Sequence, residues 1–484
     1  GLGDVYKRQI YAAVERLPQV VDALVVDLEY LGKESYMPLF VALRAGTVLD
    51  DTLEAAIRKT IGAALSPRFV PDAIFQVPEV PRTLTGKKQE LPIKKLLLGQ
   101  PLERVLNLMR TVPGVKFTPA LDLPRRADGA TELLLTASRQ PVSLTGGVAD
   151  LGTGMQPLVN AATNSLTPLG EQVKLTASIP FNTDDVKYVS GEIRVPIGND
   201  GLAVKVDGYH YDAKPKDDAI EYLGFQRRVK NDRIGIGVSY PFLLNNTRSL
   251  TGTLGVYAAN SKDRYDAKES DRWLQQDAQV RAANLEMRYI QVSEAATSDV
   301  TLAVAKGFDA AGAKKEINTN YGYSAVPILD LDFTRYNLNA KQTFALPAQF
   351  GLTLSGAAQY SSNILPSSEQ VSFGSWRFAM GYPQGEQSGD KGVGVSAEVN
   401  RRFGIGWEYL SNVQPYALID FARTYYNNKG LQQLNQRHLS SVALGLRFTD
   451  DKYYLFDFNV AKPIGSATVN NDRDVRFNLS LIHI

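Results

Sequence analysis

From about residue 142 to residue 479 the chain alternates apolar and polar residues in run after run, about fifteen times, with polar turns between the runs. Leu352, Leu354, Ala358 and Tyr360 oppose Thr353, Ser355 and Gln359. Val442, Leu444, Leu446 and Phe448 oppose Ser441, Gly445 and Arg447. Tyr454, Phe456, Phe458 and Val460 oppose Asp457 and Asn459, and Leu285, Met287 and Tyr289 oppose Asn284, Glu286 and Arg288. A period of two puts each set on its own face of a sheet. In a soluble sandwich the apolar face meets a second sheet. In a membrane barrel it meets lipid, while charges line a wet lumen. Mid-strand charges such as Glu286 and Asp457, and Tyr and Phe at strand ends, favour the barrel. Closure is then obligatory, because an unpaired backbone group in lipid costs several kcal/mol.

Composition agrees with that reading. Hydrophobic residues are 44% of the 484, mean hydropathy is −0.19, and no run of 18 apolar residues exists, so transmembrane helices are not expected. A formal net charge of +2 is too balanced to argue for nucleic acid. The absence of cysteine excludes disulfides, thiolate zinc sites and cysteine nucleophiles. His210, His438 and His483 are far apart, so no metal site and no cofactor is expected. Gly1 to Gln9 (GLGDVYKRQ) has neither the apolar core nor the cleavage site of a signal peptide. That stretch and Ser480 to Ile484 are expected to be translated sequencing-adapter sequence, leaving neither true terminus in the chain.

The first hundred residues follow a different pattern. Asp22 to Tyr30 and Met37 to Arg44 read as short strands. Asp50 or Asp51 is an N-cap candidate for a helix running to about Leu65, with Leu53, Ile57, Ile61 and Leu65 on one face; Pro67 and Pro71 stop it. Ala73 to Val77 is a third strand. A Gly-containing loop, PRTLTGKKQELPIKK (Pro81 to Lys95), and a short basic segment, Leu91 to Leu98, follow. With IYAAVERLPQVVDALVV and DLEYLGKESYMPLFVALRAG, this loop resembles the carboxy-terminal lid domain of acyl-adenylate-forming ligases, most closely the acetoacetyl-coenzyme A synthetases. The resemblance implies that Lys87, with Thr85 and Gly86 shaping its turn, is the lid lysine that stabilises charge on the carboxylate and α-phosphate during adenylation. The large amino-terminal domain of such ligases, which holds the nucleotide and acyl pocket, has no counterpart here. The segment is expected to be inactive, and the chain not to be an enzyme.

Leu102 to Arg110 has helical spacing, with Leu102, Val105, Leu106 and Met109 on one face. Strands Lys116 to Leu121 and Glu132 to Arg139 follow, around a polar turn at Asp128-Gly129. Helix, strand, strand resembles the tail of a POTRA module, the small periplasmic domain that precedes certain barrels. The break between the two parts is therefore placed near residues 100 to 104.

One barrel connection, Pro366 to Val393, lacks alternation. A loop of this length inside a β domain is functional or disordered. With this loop, the Gly-rich strand Ser143 to Gly147, Asn164 to Gly170, Val195 to Gly198 and Gln414 to Asp420, residues 102 to 479 resemble the TpsB transporters of two-partner secretion, the hemolysin-activator type of the BamA-like superfamily. In that family the loop folds back into the lumen. Its tip carries Arg-Gly-Tyr or Arg-Gly-Phe, followed by Gly-Asp-x-Gly. Here Gly381, Tyr382, Gly389, Asp390 and Gly392 match, while Met380 stands at the Arg position. The resemblance implies that the Arg pairs with an Asp of the inner wall, for which Asp420 is the candidate. Asp420 shares a face with Tyr416, Leu418, Ala422 and Thr424, and a carboxylate belongs on the lumen side. Met380 cannot form that pair; Arg377 is near enough in sequence to substitute.

The expected fold is mainly β: a transmembrane antiparallel β-barrel of about 15–16 strands, preceded by a POTRA remnant and a small α+β domain. The expected divisions are 1–9 artefact, 10–100 ligase lid fragment, 102–140 POTRA remnant, 141–479 barrel and 480–484 artefact. The expected function is secretion of a large partner polypeptide, itself unidentified, across the bacterial outer membrane, with lipid as the second partner and no nucleic acid. Residues 10–100 are of cytoplasmic origin on this reading. The alternatives are an inactive fragment of an acetoacetate-CoA ligase and an open porin-like barrel. Two parts from different compartments point to a chimera.

Overall fold

The computed structural model describes residues 2–28, 36–44, 46–80, 88, 93, 97, 102–122, 132–150, 155–182, 186–215, 218–376, 378–428, 430, 438–468 and 470–483. Two compact units result: residues 1–138 with 165–170 and 198–200, and residues 139–164, 171–197 and 201–484.

In the first unit a helix, Leu2–Val14, precedes β1 (Val20–Val25) and β2 (Pro38–Leu43); a second helix, Asp51–Ala64, then leads to β3 (Ala73–Val77). The sheet order is β1-β2-β3, with β1 antiparallel and β3 parallel to β2. The parallel pair needs a crossover, which the second helix supplies. Asp50 caps that helix by accepting from the Leu53 amide at 2.8 Å. Leu53, Ile57 and Ile61, one turn apart, bury against Ile10, Val14, Leu39, Val41 and Ile74. The run Pro38 to Leu43 is apolar throughout because the central strand is covered on both faces: Ala42 packs with Leu24, Val26, Leu28 and Val80. The first helix takes in Leu2 to Gln9. A helix, Leu102–Arg110, then precedes β4 (Val115–Asp122) and β5 (Glu132–Arg139), which pair as two strands. The Asp128-Gly129 turn lies outside the described residues.

The second unit is one sheet closed on itself. It begins with β6 (Val142–Asp150), β7 (Met155–Asn164), β8 (Gln172–Ser178), β9 (Lys187–Pro196) and β10 (Ala203–Ala213). Next come β11 (Phe225–Leu244), β12 (Arg248–Ala267), β13 (Trp273–Val292), β14 (Ala296–Gly307), β15 (Lys314–Thr319) and β16 (Ser324–Ala325). Then follow β17 (Thr334–Ala345), β18 (Phe350–Tyr360), β19 (Val371–Phe373), β20 (Gln387–Gly389), β21 (Lys391–Arg401) and β22 (Phe403–Trp407). The last four are β23 (Leu410–Tyr425), β24 (Leu439–Thr449), β25 (Tyr454–Pro463) and β26 (Arg476–His483). β19 and β20 pair only with each other, β15 and β16 form a hairpin on β13, and β21 and β22 together face β23. Sixteen antiparallel staves remain. The ring closes where Leu481, Ile482 and His483 of β26 meet Val148, Gly147 and Gly146 of β6. One short helix, Asp218–Tyr222, interrupts the strands between β10 and β11, where continuous strands and turns are expected from the sequence. The acidic, turn-like segment there leaves it outside the sheet.

Alternation sorts side chains by face. On β24, Leu444 is 69% exposed and Ser441 0%. Ser441, Ala443 and Gly445 of β24, Asp420 and Tyr416 of β23, and Asp457 and Asn459 of β25 are buried inward, while Val442, Ile419 and Phe477 face out. An apolar outer face and a polar lumen are what a bilayer requires of a closed sheet.

Candidate functional site

The segment between β18 and β21, residues 361–390, folds onto the inner wall. Strand β21 begins at Lys391, so Gly392 and Val393 belong to the wall and not to the loop. At the loop's base Asp390 is fully buried. Its Oδ1 accepts from the Leu365 amide at 2.8 Å and its Oδ2 from the Asn427 amide at 2.7 Å. Burial pushes the Asp390 carboxyl up from its ordinary pKa, and those two amides act in the opposite direction. Asn427 in turn donates through Nδ2 to the Ser361 and Asn363 carbonyls. One carboxylate thus ties both ends of the loop to the next connection.

The glycines of the Gly-Asp-x-Gly run have steric reasons. A Cβ at Gly389 would lie 2.7 Å from the Tyr425 carbonyl, and one at Gly392 would lie 2.8 Å from Val371 Cγ1 and 2.9 Å from the Phe373 ring. The β19–β20 hairpin can lie flat on β21 and β23 only because these side chains are missing. Val371, Phe373, Ala379 and Tyr382 then pack with Ala357, Ala422 and Leu439 of the wall.

At the tip, the Met380 amide donates to Asp420 Oδ2 at 2.8 Å and the Gly381 amide to Ser441 Oγ at 3.0 Å. Asp420 Oδ1 accepts from the Ser441 amide and hydroxyl at 2.9 and 2.6 Å. Asn471 and Asn478 donate to the Gly381 and Met380 carbonyls at 2.9 and 3.3 Å. Tyr382, fully buried, donates from its hydroxyl to the Ser466 carbonyl at 2.9 Å. A Cβ on Gly381 would sit 2.8 Å from the Pro463 nitrogen, so no other residue fits without displacing the tip. The Met380 side chain does not turn toward Asp420. It fills an apolar recess with Leu418, Ala443 and Ala461. The structure thus brings Met380, Gly381, Tyr382 and Asp420 together, and Asp390, Gly389 and Gly392 at the other end of the same loop. Arg377 lies outside the described residues, as do Thr85, Gly86 and Lys87. Lys88, next to the last of these, is held by Asp22 at 2.9 Å and lies 3.7 Å above the Tyr11 ring.

Sequence reasoning names Arg447, Asp457 and Tyr416 as strand residues but passes over Glu398 and the cluster that the four form. Arg447 holds Glu398 with both Nη atoms at 2.6 and 2.7 Å and Asp457 through Nε at 2.8 Å. Tyr416 donates to Asp457 at 2.8 Å, its ring 4.0 Å from the Arg447 guanidinium and over Gly445. A second connection also turns inward: Leu329, Leu331 and Phe333 pack on Tyr257, Ala259, Val280, Ala282 and Ala305. Asp330 accepts there from the Ile364 amide at 2.9 Å, joining this segment to the first loop. Among the described residues no cluster of His, Asp and Glu forms a metal site.

The haemolysin secretion/activation protein family ShlB/FhaC/HecB matches residues 149–448. The heme/hemopexin transporter protein HuxB of Haemophilus influenzae is 28% identical over 152 residues, 31% of this chain and 27% of that protein. CdiB from Escherichia coli is similar in fold, with TM-score 0.62 at 15% identity, over 99% of this chain and 95% of that chain. Acetoacetyl-CoA synthetase of Caenorhabditis elegans is 32% identical over 101 residues, 21% of this chain. The chain spans only 14% of the length of that synthetase. By a match that covers more than half its residues, around a closed barrel with an inward loop, the chain belongs to the haemolysin secretion/activation protein family ShlB/FhaC/HecB, and it carries in addition a segment similar to part of an acetoacetyl-CoA synthetase.

Proposed function

We propose that the barrel passes a secreted partner polypeptide across the bacterial outer membrane, and that the 361–390 loop is the plug this polypeptide displaces. The observation that carries the reading is the tip: the backbone of Met380 and Gly381 is hydrogen-bonded to Asp420, Ser441, Asn471 and Asn478 of the wall. A sixteen-stave barrel without a plug would hold an open aqueous channel. Where the family has a charge pair at the tip, Met380 leaves Asp420 to backbone amides and a hydroxyl. An ion pair is not needed there for Asp420 to hold the tip. Asp420→Ala leaves the Met380 and Ser441 amides buried without an acceptor, at about 1–3 kcal/mol each. Open-state occupancy in planar bilayers should therefore rise about tenfold or more over wild type. Unchanged conductance would remove Asp420 from the lock.

For residues 10–100 we infer an inactive lid fragment. A lysine that acts on an adenylate needs the domain that binds it, and the match covers 14% of the synthetase. Lys87→Ala is expected to change no activity. Acetoacetate-dependent pyrophosphate release by the wild-type chain, lost in the variant, would contradict this. The join of a cytoplasmic enzyme segment to a periplasmic-facing module reads as an assembly or cloning artefact. A continuous, in-frame native DNA read across codons 95–110 would show it to be genuine.

A further inference from the structure

We propose that Glu369 is the electrostatic anchor of the loop, held by Arg335 of β17 and Tyr257 of β12, so that in this chain the charged lock sits near the base of the loop and not at its tip. The inference rests on the plug reading above. Glu369 is 3% exposed. Its Oε2 lies 2.8 Å from Arg335 Nη1 and accepts from the Tyr257 hydroxyl at 2.9 Å. The same Arg335 nitrogen donates to the Glu369 carbonyl at 3.1 Å, and Gln359 Nε2 donates to that carbonyl at 3.0 Å. The Arg233 guanidinium stacks 4.3 Å from the centre of the Tyr257 ring, which fixes the phenol from its other side. Two wall strands, β12 and β17, thus hold the Glu369 carboxylate, while β18 holds its backbone carbonyl and β11 braces Tyr257.

The contrast with the tip gives the argument its force. Met380 and Gly381 are held through backbone groups, which every residue but proline presents alike. Glu369 is held through its side chain, and a carboxylate this deeply buried is stable only while its cation and its donors stay in place. Moving the loop out of the lumen separates Glu369 from Arg335, which stays on β17, and leaves each charge without its partner. The pair also sits beside Leu365, which packs with Leu329, Leu331 and Phe333, so the anchor fixes the point where the two inward segments meet.

The test uses the full chain in planar bilayers. Wild type, Glu369→Gln, Arg335→Gln, Tyr257→Phe, the exchanged double variant Glu369→Arg/Arg335→Glu, and a barrel lacking the loop would be compared. Folding of each would be checked by the gel-mobility difference between heated and unheated samples. Glu369→Gln and Arg335→Gln should each raise open-state occupancy about tenfold, and Tyr257→Phe, which removes one hydrogen bond and no volume, about threefold. The exchange should recover at least half of the loss, a recovery that simple packing cannot give. Wild-type occupancy in Glu369→Gln and Tyr257→Phe, while the loop-less barrel conducts freely, overturns the anchor and leaves the plug. A loop-less barrel no more conductive than wild type overturns the plug itself. If Glu369→Gln does not fold, Tyr257→Phe and the exchange decide: no change in the first and no fold in the second count against the anchor.

Discussion

Replacing residues 366–390 by a short turn should convert the barrel from a closed to an open channel of the porin class. The loop packs on β18, β21, β23 and the start of β24, yet among the described residues no stave takes its ladder partners from it. The inter-strand ladders survive its loss. What disappears is the apolar patch of Val371, Phe373, Ala379 and Tyr382 and the polar contacts of the tip. The exposed inner wall would then be Ser441, Asp420, Asn459 and Asn478, a surface that water wets readily. Single-channel recording gives the answer directly. Conductance like that of the intact chain would mean that the 326–333 segment alone closes the lumen, since Leu329, Leu331 and Phe333 stay in place.

The largest loss of stability should follow Arg447→Met. This substitution keeps most of the volume but leaves Glu398 and Asp457 facing each other without a cation. Both carboxylates are largely buried, with side-chain exposures of 11% each. Removing one partner of a buried charged cluster costs about 3–5 kcal/mol. Tyr416, which donates to Asp457 and lies over Gly445, loses the guanidinium it stacks on. Arg447→Lys should fall between, because an ammonium keeps the charge but cannot grip Glu398 with two parallel bonds. Urea unfolding in detergent micelles would order the three proteins. A midpoint for Arg447→Met equal to wild type would show that the cluster is already well hydrated.

Period two made most of the wall legible. It assigned Ser441 and Gly445 to one face and Val442 and Leu444 to the other, put Asp420 on the lumen side, and the structure buries and exposes them accordingly. Such a rule needs only neighbours along one strand. The helical pattern Leu53, Ile57, Ile61 after Asp50 is local for the same reason. Residues that meet across the lumen were not legible. Tyr257 and Glu369 are 112 positions apart, and nothing in either neighbourhood names the other until the ring closes. The destination of Met380 was hidden as well. The sequence marks a missing arginine, but not that Leu418, Ala443 and Ala461 would leave an apolar recess for a thioether. The inward turn of residues 326–333 carries its own alternation, Leu329, Leu331 and Phe333 against Ile328 and Asp332, yet it is short and sits in a connection.

The strands are of very unequal length. β11, β12 and β13 have 20 residues each, whereas β8 has 7 and β26 has 8. At a tilt of about 40°, a 20-residue strand rises roughly 50 Å, twice the apolar band of about 25 Å. The surplus of β13 stands beyond the end of β14, where β15 and β16 pair with it. The mouth of the barrel is therefore lopsided, a tall parapet facing a low sill. Whatever leaves the lumen reaches open water first on the side of β8 and β26, and stays alongside a sheet for longer on the side of β13 and β15.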